Sequence, residues 1–213
     1  MQKLIGILGG TFDPVHYGHL KPAHEIYQRL HLDDLRLVPC SNPVHREAPS
    51  ASAEQRLRML QLALQEYPQF TVDDREIRRR GRSYTVDTLS ELRQEFPDAV
   101  LCLLLGLDAL EGFKQWHRWR QILKMAHLLV SPRPGYGMDP KSERAKLIAE
   151  FGVTSEAALY DRPGGAILLV ATGQYDISST VIRQRVRDHQ TLSGLVPPGV
   201  ASWIKEHRIY EVN

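Results

Sequence analysis

Residues 4–20 read LIGILGGTFDPVHYGHL, and this stretch decides the fold. Leu4 to Leu8 is a short apolar run closed by Gly9-Gly10, which predicts a buried strand. After a loop, Leu20, Ala23, Tyr27 and Leu30 recur at helical spacing and predict a helix from about Gly18 to His31. A buried strand, a glycine turn and an amphipathic helix make the opening unit of a parallel α/β sheet. In such sheets ligands bind outside the carboxyl ends of the strands. The segment from Gly9 to Leu20 is therefore both the first connection and the first candidate site.

Further along, apolar runs keep alternating with amphipathic segments. Leu35–Pro39, Ala99–Leu105, His127–Ser131 and Ala166–Val170 predict strands. Ala99–Leu105 is apolar on both faces, as a central parallel strand requires. Phe70–Asp73 and Glu76–Arg80 are short strand candidates. Ser52 with Gln55 forms a capping-box pattern ahead of Leu57, Leu60 and Leu64. Ser83 is placed to cap a helix carrying Leu89, Leu92 and Phe96, and helices are also predicted at 116–125, 141–151, 178–189 and 199–207. The expected architecture is a doubly wound, Rossmann-like parallel sheet with helices on both faces. The Gly/Pro-rich stretch 132–137 is the one plausible internal boundary. Because the strand at 166–170 looks like part of the same sheet, residues 1–213 are expected to form a single domain, with the C-terminal helices of 178–213 packed as part of it.

Composition narrows the class. The 213 residues are 42% hydrophobic and 24% charged, ordinary globular usage that fits neither a disordered nor a fibrous chain. Their 27 basic and 25 acidic side chains leave a formal charge of +2, too small to draw nucleic acid or a membrane surface by itself. The longest apolar run, residues 99–107, falls well short of the ~20 residues of a membrane-spanning helix. The first ten residues imitate a secretory signal but lead straight into TFDPVHYGHL, so they read as a strand. Cys40 and Cys102 are too few for a disulfide framework, and a reducing, cytoplasmic setting is expected.

The candidate chemistry concentrates in three places. GGTFDPVHYGHL is neither a dinucleotide fingerprint nor a Walker A loop. It does set Gly9 and Gly10 after a strand and His16 and His19 at a helix start, where backbone amides and imidazole N–H groups suit phosphate. Zinc is disfavoured, because His16, His19 and His24 lack a familiar ligand spacing. Asp13 alone is a poor magnesium cage. The second place is DISSTVIR (176–183), where Ser178 and Ser179 stand at an N-cap and Arg183 lies a turn further on. Alone it reads as a well-capped helix, but beside the first loop it offers a second anion-binding helix start with a guanidinium fork. The third is GRSYTVDTL (81–89) with Trp116 and Trp119, a place for an aromatic ligand ring, although one of that tryptophan pair is expected in the core. Arg75, Arg78, Arg79, Arg80 and Arg82 read equally well as an anion site or as a charged strand edge.

The sequence resembles a known family at these points. GGTFDPVHYGHL matches the G-x-F-x-P-x-H-x-G-H signature, and ISSTVIR the I-S-S-T-x-I-R signature, of the H-x-G-H nucleotidyltransferase superfamily. VPCSNPVHRE, RSYTVDTL, LLGLDAL, the Trp116 region and VSPRPG resemble the bacterial nicotinate-nucleotide adenylyltransferases in particular, so the resemblance runs from Ile5 to about Val186. Asn42-Pro-Val-His45 stands where the family commonly has Asn-Pro-Pro-His, and Arg46 where lysine is frequent. The resemblance implies adenylyl transfer from ATP to nicotinate mononucleotide, giving nicotinate adenine dinucleotide and pyrophosphate, with Mg2+ carried on the ATP phosphates and no metal bound by protein ligands. It implies that His16, His19 and Arg183 contact the ATP phosphates. Gly9, Gly10, Thr11 and Phe12 would line the phosphate crevice, and Ile177, Ser178 and Ser179 would hold the adenosine end and triphosphate. Gly106 and Asp108 would meet the ribose. Tyr84, Thr85 and Trp116 would enclose the nicotinate ring, and His45 and Arg46 would approach the mononucleotide.

Two alternatives remain open on sequence. One is another transferase of the same superfamily, acting on pantetheine phosphate or a cytidylyl acceptor; the long middle section with SYTVDTL argues against it. The other is a nucleotide-sensing or RNA-binding module using the arginines of 75–82, which the near-zero charge disfavours. No nucleic-acid or membrane partner is expected. Oligomeric state is not legible.

Overall fold

The computed structural model describes residues 2–42, 48–132 and 139–211. His45 and Arg46, and all of the 132–137 loop after Pro132, lie outside them. In chain order the first elements are β1 (Leu4–Gly10), α1 (Tyr17–Arg29), β2 (Asp34–Pro39), α2 (Ala53–Ala63), β3 (Phe70–Val72), α3 (Arg75–Arg79) and α4 (Thr85–Glu95). Then come β4 (Val100–Gly106), α5 (Leu107–Glu111), α6 (Trp119–Met125), β5 (His127–Ser131), α7 (Glu143–Phe151), β6 (Gly152–Val153), β7 (Ile167–Leu169), α8 (Ser179–Arg187) and α9 (Pro198–Glu206).

The strands make a seven-stranded sheet in the order β3-β2-β1-β4-β5-β7-β6. Register is set by the apolar strands: Leu4 faces Val100 and Ile7 faces Leu103 across the parallel β1–β4 pair. Cys102 faces His127 and Gly106 faces Ser131 across β4–β5. The sheet grows in both directions from β1, the reversal of strand order that marks a doubly wound sheet. This is the doubly wound α/β architecture that the sequence predicts. Among the described residues no helix is long and apolar enough to cross a membrane.

The chain groups into two compact units, each built from interleaved segments. The first comprises Met1–Leu8, His24–Leu35 and Tyr84–Gln174. Its core is the buried aliphatic run of β4 and β5 with Ile122, Leu147, Leu159 and Ile167. Arg93 of α4 binds the carbonyls of Phe96, Pro97, Ala99, Met125 and Pro163, tying together the chain turns that carry them. Buried His127 accepts the Ala166 amide at Nδ1 (3.1 Å), so its proton sits on Nε2 and is donated to the Arg162 carbonyl (3.0 Å). The second unit comprises Gly9–Ala23, Arg36–Ser83 and Tyr175–Asn213. There α2 packs on α9, and the Ser52–Gln55 capping box is formed as the pattern predicts.

The structure corrects several local expectations. Glu76–Arg80 is not a strand: α3 is helical there, starting after Asp74, flanked by Asp73, whose carboxylate takes Arg36 and Arg75, and supported by an Arg78–Asp74 ion pair one turn apart. The arginine cluster therefore lies on and after a short helix rather than along a strand edge. The cap of α4 is Tyr84, not Ser83, and the Ser83 hydroxyl instead accepts the Ser41 amide. The helix expected from Trp116 begins at Trp119, because Arg118 takes a left-handed conformation (φ 54°). Neither Trp116 nor Trp119 is fully buried; Phe113, touching both rings, fills the core position instead. Helix α5 and the two-residue β6 lack a clear sequence pattern.

Candidate active site

The carboxyl end of β1 opens into the first motif. Gly9 is exposed, and a Cβ there would meet no atom within 4 Å, so the backbone presents an open face. At Gly10 a Cβ would already touch the Phe12 ring at 3.0 Å. Phe12 is buried with φ 50°, a conformation a bulky residue adopts only when its surroundings impose it. Its ring meets the edge of His19 (5.2 Å, 80°), and His19 stacks on His16 (3.7 Å, 25°). His16 is buried, and that burial pushes its pKa down to about 4, so the ring is neutral at pH 7. Its Nδ1 makes no hydrogen bond among the described residues.

The second motif is fastened to the first by side chain and shape. Ser178 caps α8 by accepting the Val181 amide (3.3 Å). Ser179 donates to the Pro14 carbonyl (3.0 Å), and Arg183 Nη1 donates to the Asp13 carbonyl (2.7 Å). Gly18 lies so close to Ile177 that a Cβ would come within 2.8 Å of its carbonyl oxygen and 2.9 Å of His16 Nδ1. Only glycine gives the H-x-G-H helix this approach. Residues Gly9 to His19 and Ile177 to Arg183 thus form one cluster within the second unit.

Asp13 is the hub of that cluster. Its buried carboxylate accepts the Tyr210 hydroxyl (2.8 Å) and the Ala51 amide (3.1 Å) on Oδ1, and the Ser50 amide (2.8 Å) on Oδ2. Arg183 Nη1 stands 3.7 Å from the same Oδ2. Burial and the neighbouring carboxylate push the Tyr210 hydroxyl well above its ordinary pKa, so it remains a donor. Beside the hub, fully buried Arg56 spreads its guanidinium over the carbonyls of Thr11 (2.7 Å), Ser41 (3.0 Å) and Ala51 (3.3 Å). It ties the turn after β1 to the turn after β2.

The remaining candidates lie in the first unit. Gly106 caps α5 and, like Gly9, has no atom within 4 Å of a Cβ position. Asp108 is exposed in the first turn of α5. Tyr84 and Thr85 open α4, and the Tyr84 ring lies 4.5 Å from His117, the neighbour of Trp116. Among the described residues no cluster of three or more His, Cys, Asp or Glu could hold a metal.

Comparison with known proteins bears on this geometry. The cytidylyltransferase-like family model matches residues 7–185, which takes in both motifs. A probable nicotinate-nucleotide adenylyltransferase of Aeromonas hydrophila is 45% identical over 210 residues, covering 99% of this chain and 98% of its own. One from Hydrogenovibrio crunogenus is 41% identical and covers 99% of each chain. The chain belongs to the nicotinate-nucleotide adenylyltransferase family. The nicotinic acid mononucleotide adenylyltransferase of Plasmodium falciparum, solved with NaAD, shares the fold (TM-score 0.74, 17% identity, covering 100% of this chain and 99% of its own).

Within this adenylyltransferase chain, four residues of or beside the candidate sites had escaped the sequence reading. Asp13 shows in the sequence only as a lone carboxylate, too little for a magnesium cage, and Arg56 carries no sequence signal of its own. Tyr210 lies outside both motifs. His117 had a usable signal, since it is a ring-bearing residue directly after Trp116.

Proposed function

We propose that the chain transfers the adenylyl group of MgATP to nicotinate mononucleotide. A phosphate oxygen of the mononucleotide attacks the α-phosphorus, the bond from that phosphorus to the bridging oxygen breaks, and pyrophosphate leaves with its electron pair. The product is nicotinate adenine dinucleotide. The nucleophile is already ionised at neutral pH, so the reaction needs no general base, and positioning carries the catalysis. Well-oriented reactants gain about 7–11 kcal/mol over free encounter.

The observation that carries this reading is the fastening of Ile177, Ser179 and Arg183 onto Asp13, Pro14 and Gly18. It joins two helix starts, α1 and α8, into one place suited to a polyphosphate. In this reading His16, His19 and Arg183 contact the ATP phosphates, His16 as a neutral N–H donor. Gly9, Gly10, Thr11 and Phe12 line the crevice, and Ile177, Ser178 and Ser179 hold the nucleotide. Gly106 and Asp108 meet the ribose. Tyr84, Thr85 and Trp116 enclose the nicotinate ring, with His45 and Arg46 toward the mononucleotide phosphate. Helix α4 opens at Tyr84 without a side-chain cap, which suits its first amides to the nicotinate carboxylate. Magnesium enters as part of the ATP substrate. We place the enzyme in the cytoplasm, on the same composition argument drawn from Cys40 and Cys102.

The test is pyrophosphate release from MgATP with nicotinate mononucleotide and nicotinamide mononucleotide in parallel. Faster release with the nicotinate substrate is expected. Release with neither would discard this acceptor.

A further inference from the structure

Resting on the phosphate role of Arg183 given above, we propose that Tyr210 is a positioning residue for that arginine, acting through the carboxylate of Asp13. Arg183 stands 3.7 Å from Asp13 Oδ2, so in the absence of other partners the carboxylate would compete with an incoming phosphate for the guanidinium. It does not lack partners. Tyr210 and the Ala51 amide occupy Oδ1, and the Ser50 amide occupies Oδ2. These three donors hold the carboxylate in place and disperse its charge. Arg183 then docks by Nη1 on the Asp13 main-chain carbonyl at 2.7 Å, while its Nη2 donates to the Thr180 hydroxyl at 3.4 Å.

The backbone of the Tyr210 segment supports a built contact. Helix α9 ends in a left-handed Arg208 (φ 51°) with the Ile209 amide bonded back to the Ile204 carbonyl (3.0 Å), an ordinary helix stop that fixes the direction of the chain beyond it. Tyr210 then takes a second left-handed conformation (φ 73°), which a non-glycine residue beyond a helix end adopts under constraint. The side chain that this turn delivers is buried to 9% exposure and ends on Asp13, 197 residues away in sequence. Neither family motif includes Tyr210, so its effect on the reaction is indirect: it fixes the carboxylate that sets how Arg183 is presented.

The experiment is a double-mutant cycle in pyrophosphate release with MgATP and nicotinate mononucleotide. Wild type, Tyr210→Phe, Arg183→Lys and the double variant are compared, each normalised to its folded fraction by circular dichroism. Tyr210→Phe alone is expected to lower kcat about tenfold, the size of a lost hydrogen bond to a charged group. Its KM for nicotinate mononucleotide should stay within about twofold of wild type, the scatter of uncoupled sites. In the Arg183→Lys background the same substitution should change kcat by less than about twofold. Equal losses in both backgrounds, or wild-type kcat in Tyr210→Phe, would overturn the proposal. Met59→Leu removes the sulfur 4.0 Å from the same hydroxyl and is expected to keep kcat. A loss there equal to that of Tyr210→Phe would assign the effect to packing and also overturn it. If Tyr210→Phe does not fold, Tyr210→His carries the same cycle. Wild type inactive with nicotinate mononucleotide would sink the acceptor assignment instead, and the cycle is then read on MgATP binding, where the same coupling is expected.

Discussion

The rings of His16 and His19 are stacked with centroids 3.7 Å apart and planes 25° from parallel. Two imidazolium ions at that separation would repel, and burial already holds His16 near a pKa of 4. The pair therefore enters the proposed phosphate site with His16 neutral, offering a directed N–H rather than a charge.

That neutrality sets a pH dependence of stability. In the unfolded chain a histidine takes up a proton below about 6.5, whereas folded His16 does so only below about 4. Stability is therefore expected to fall as pH drops from 6.5 toward 4, by on the order of 3 kcal/mol from His16. His127, lowered chiefly by burial, acts in the same direction. Urea unfolding at several pH values across this range, for wild type and His16→Gln, isolates the contribution. The variant should show the shallower slope, and equal slopes would refute the assignment.

Gly18→Ala sets two effects against each other. In an ordinary helix the change would stabilise by about 1 kcal/mol. Here the new methyl would lie 2.8 Å from the Ile177 carbonyl and 2.9 Å from His16 Nδ1. Sterics should win, costing about 1–3 kcal/mol and lowering kcat by parting the two motifs. Urea midpoint and turnover measured on the same preparation decide it; a gain in stability would show that the contact relaxes freely.

Arg56→Met would leave the carbonyls of Thr11, Ser41 and Ala51 without their donor inside the protein. A loss of about 3 kcal/mol or more is expected. Arg56→Lys should recover only part of it, since one ammonium cannot reproduce the planar fork. Wild-type stability of the lysine variant in urea titrations would count against the geometric argument.

His19→Ala and Arg183→Ala are expected to lower kcat on the order of 10²-fold, while KM for nicotinate mononucleotide changes little. Steady-state kinetics with each substrate varied in turn separates the two parameters. Unchanged kcat in both variants would remove these residues from the phosphate site.

Much of this was legible in the sequence because the signals are local. The βα opening at 4–20 and the capped helix at 178 are written in contiguous residues, and each appears in the structure where the pattern places it. The Asp13–Tyr210 bond was not legible, because a tyrosine 197 residues away leaves no periodic trace beside the motif it serves. The same holds for Arg56, whose acceptors are main-chain carbonyls and so carry no residue identity at all. Helix α3 is hidden in the sequence for a different reason. Over five residues, strand and helix patterns look alike, and the ion pairs of Asp73 and Asp74 that favour the helix belong to its flank.

The bonds that fasten the cluster around Asp13 join residues 165, 170 and 197 positions apart: Ser179 to Pro14, Arg183 to Asp13 and Tyr210 to Asp13. Contacts closing such long loops repay their entropy late on a folding pathway. Cutting any one of them should then speed unfolding while leaving the refolding rate nearly unchanged, a difference visible in the two arms of a chevron plot. The lifetime of the assembled site, more than the speed with which the chain folds, is what these three bonds control.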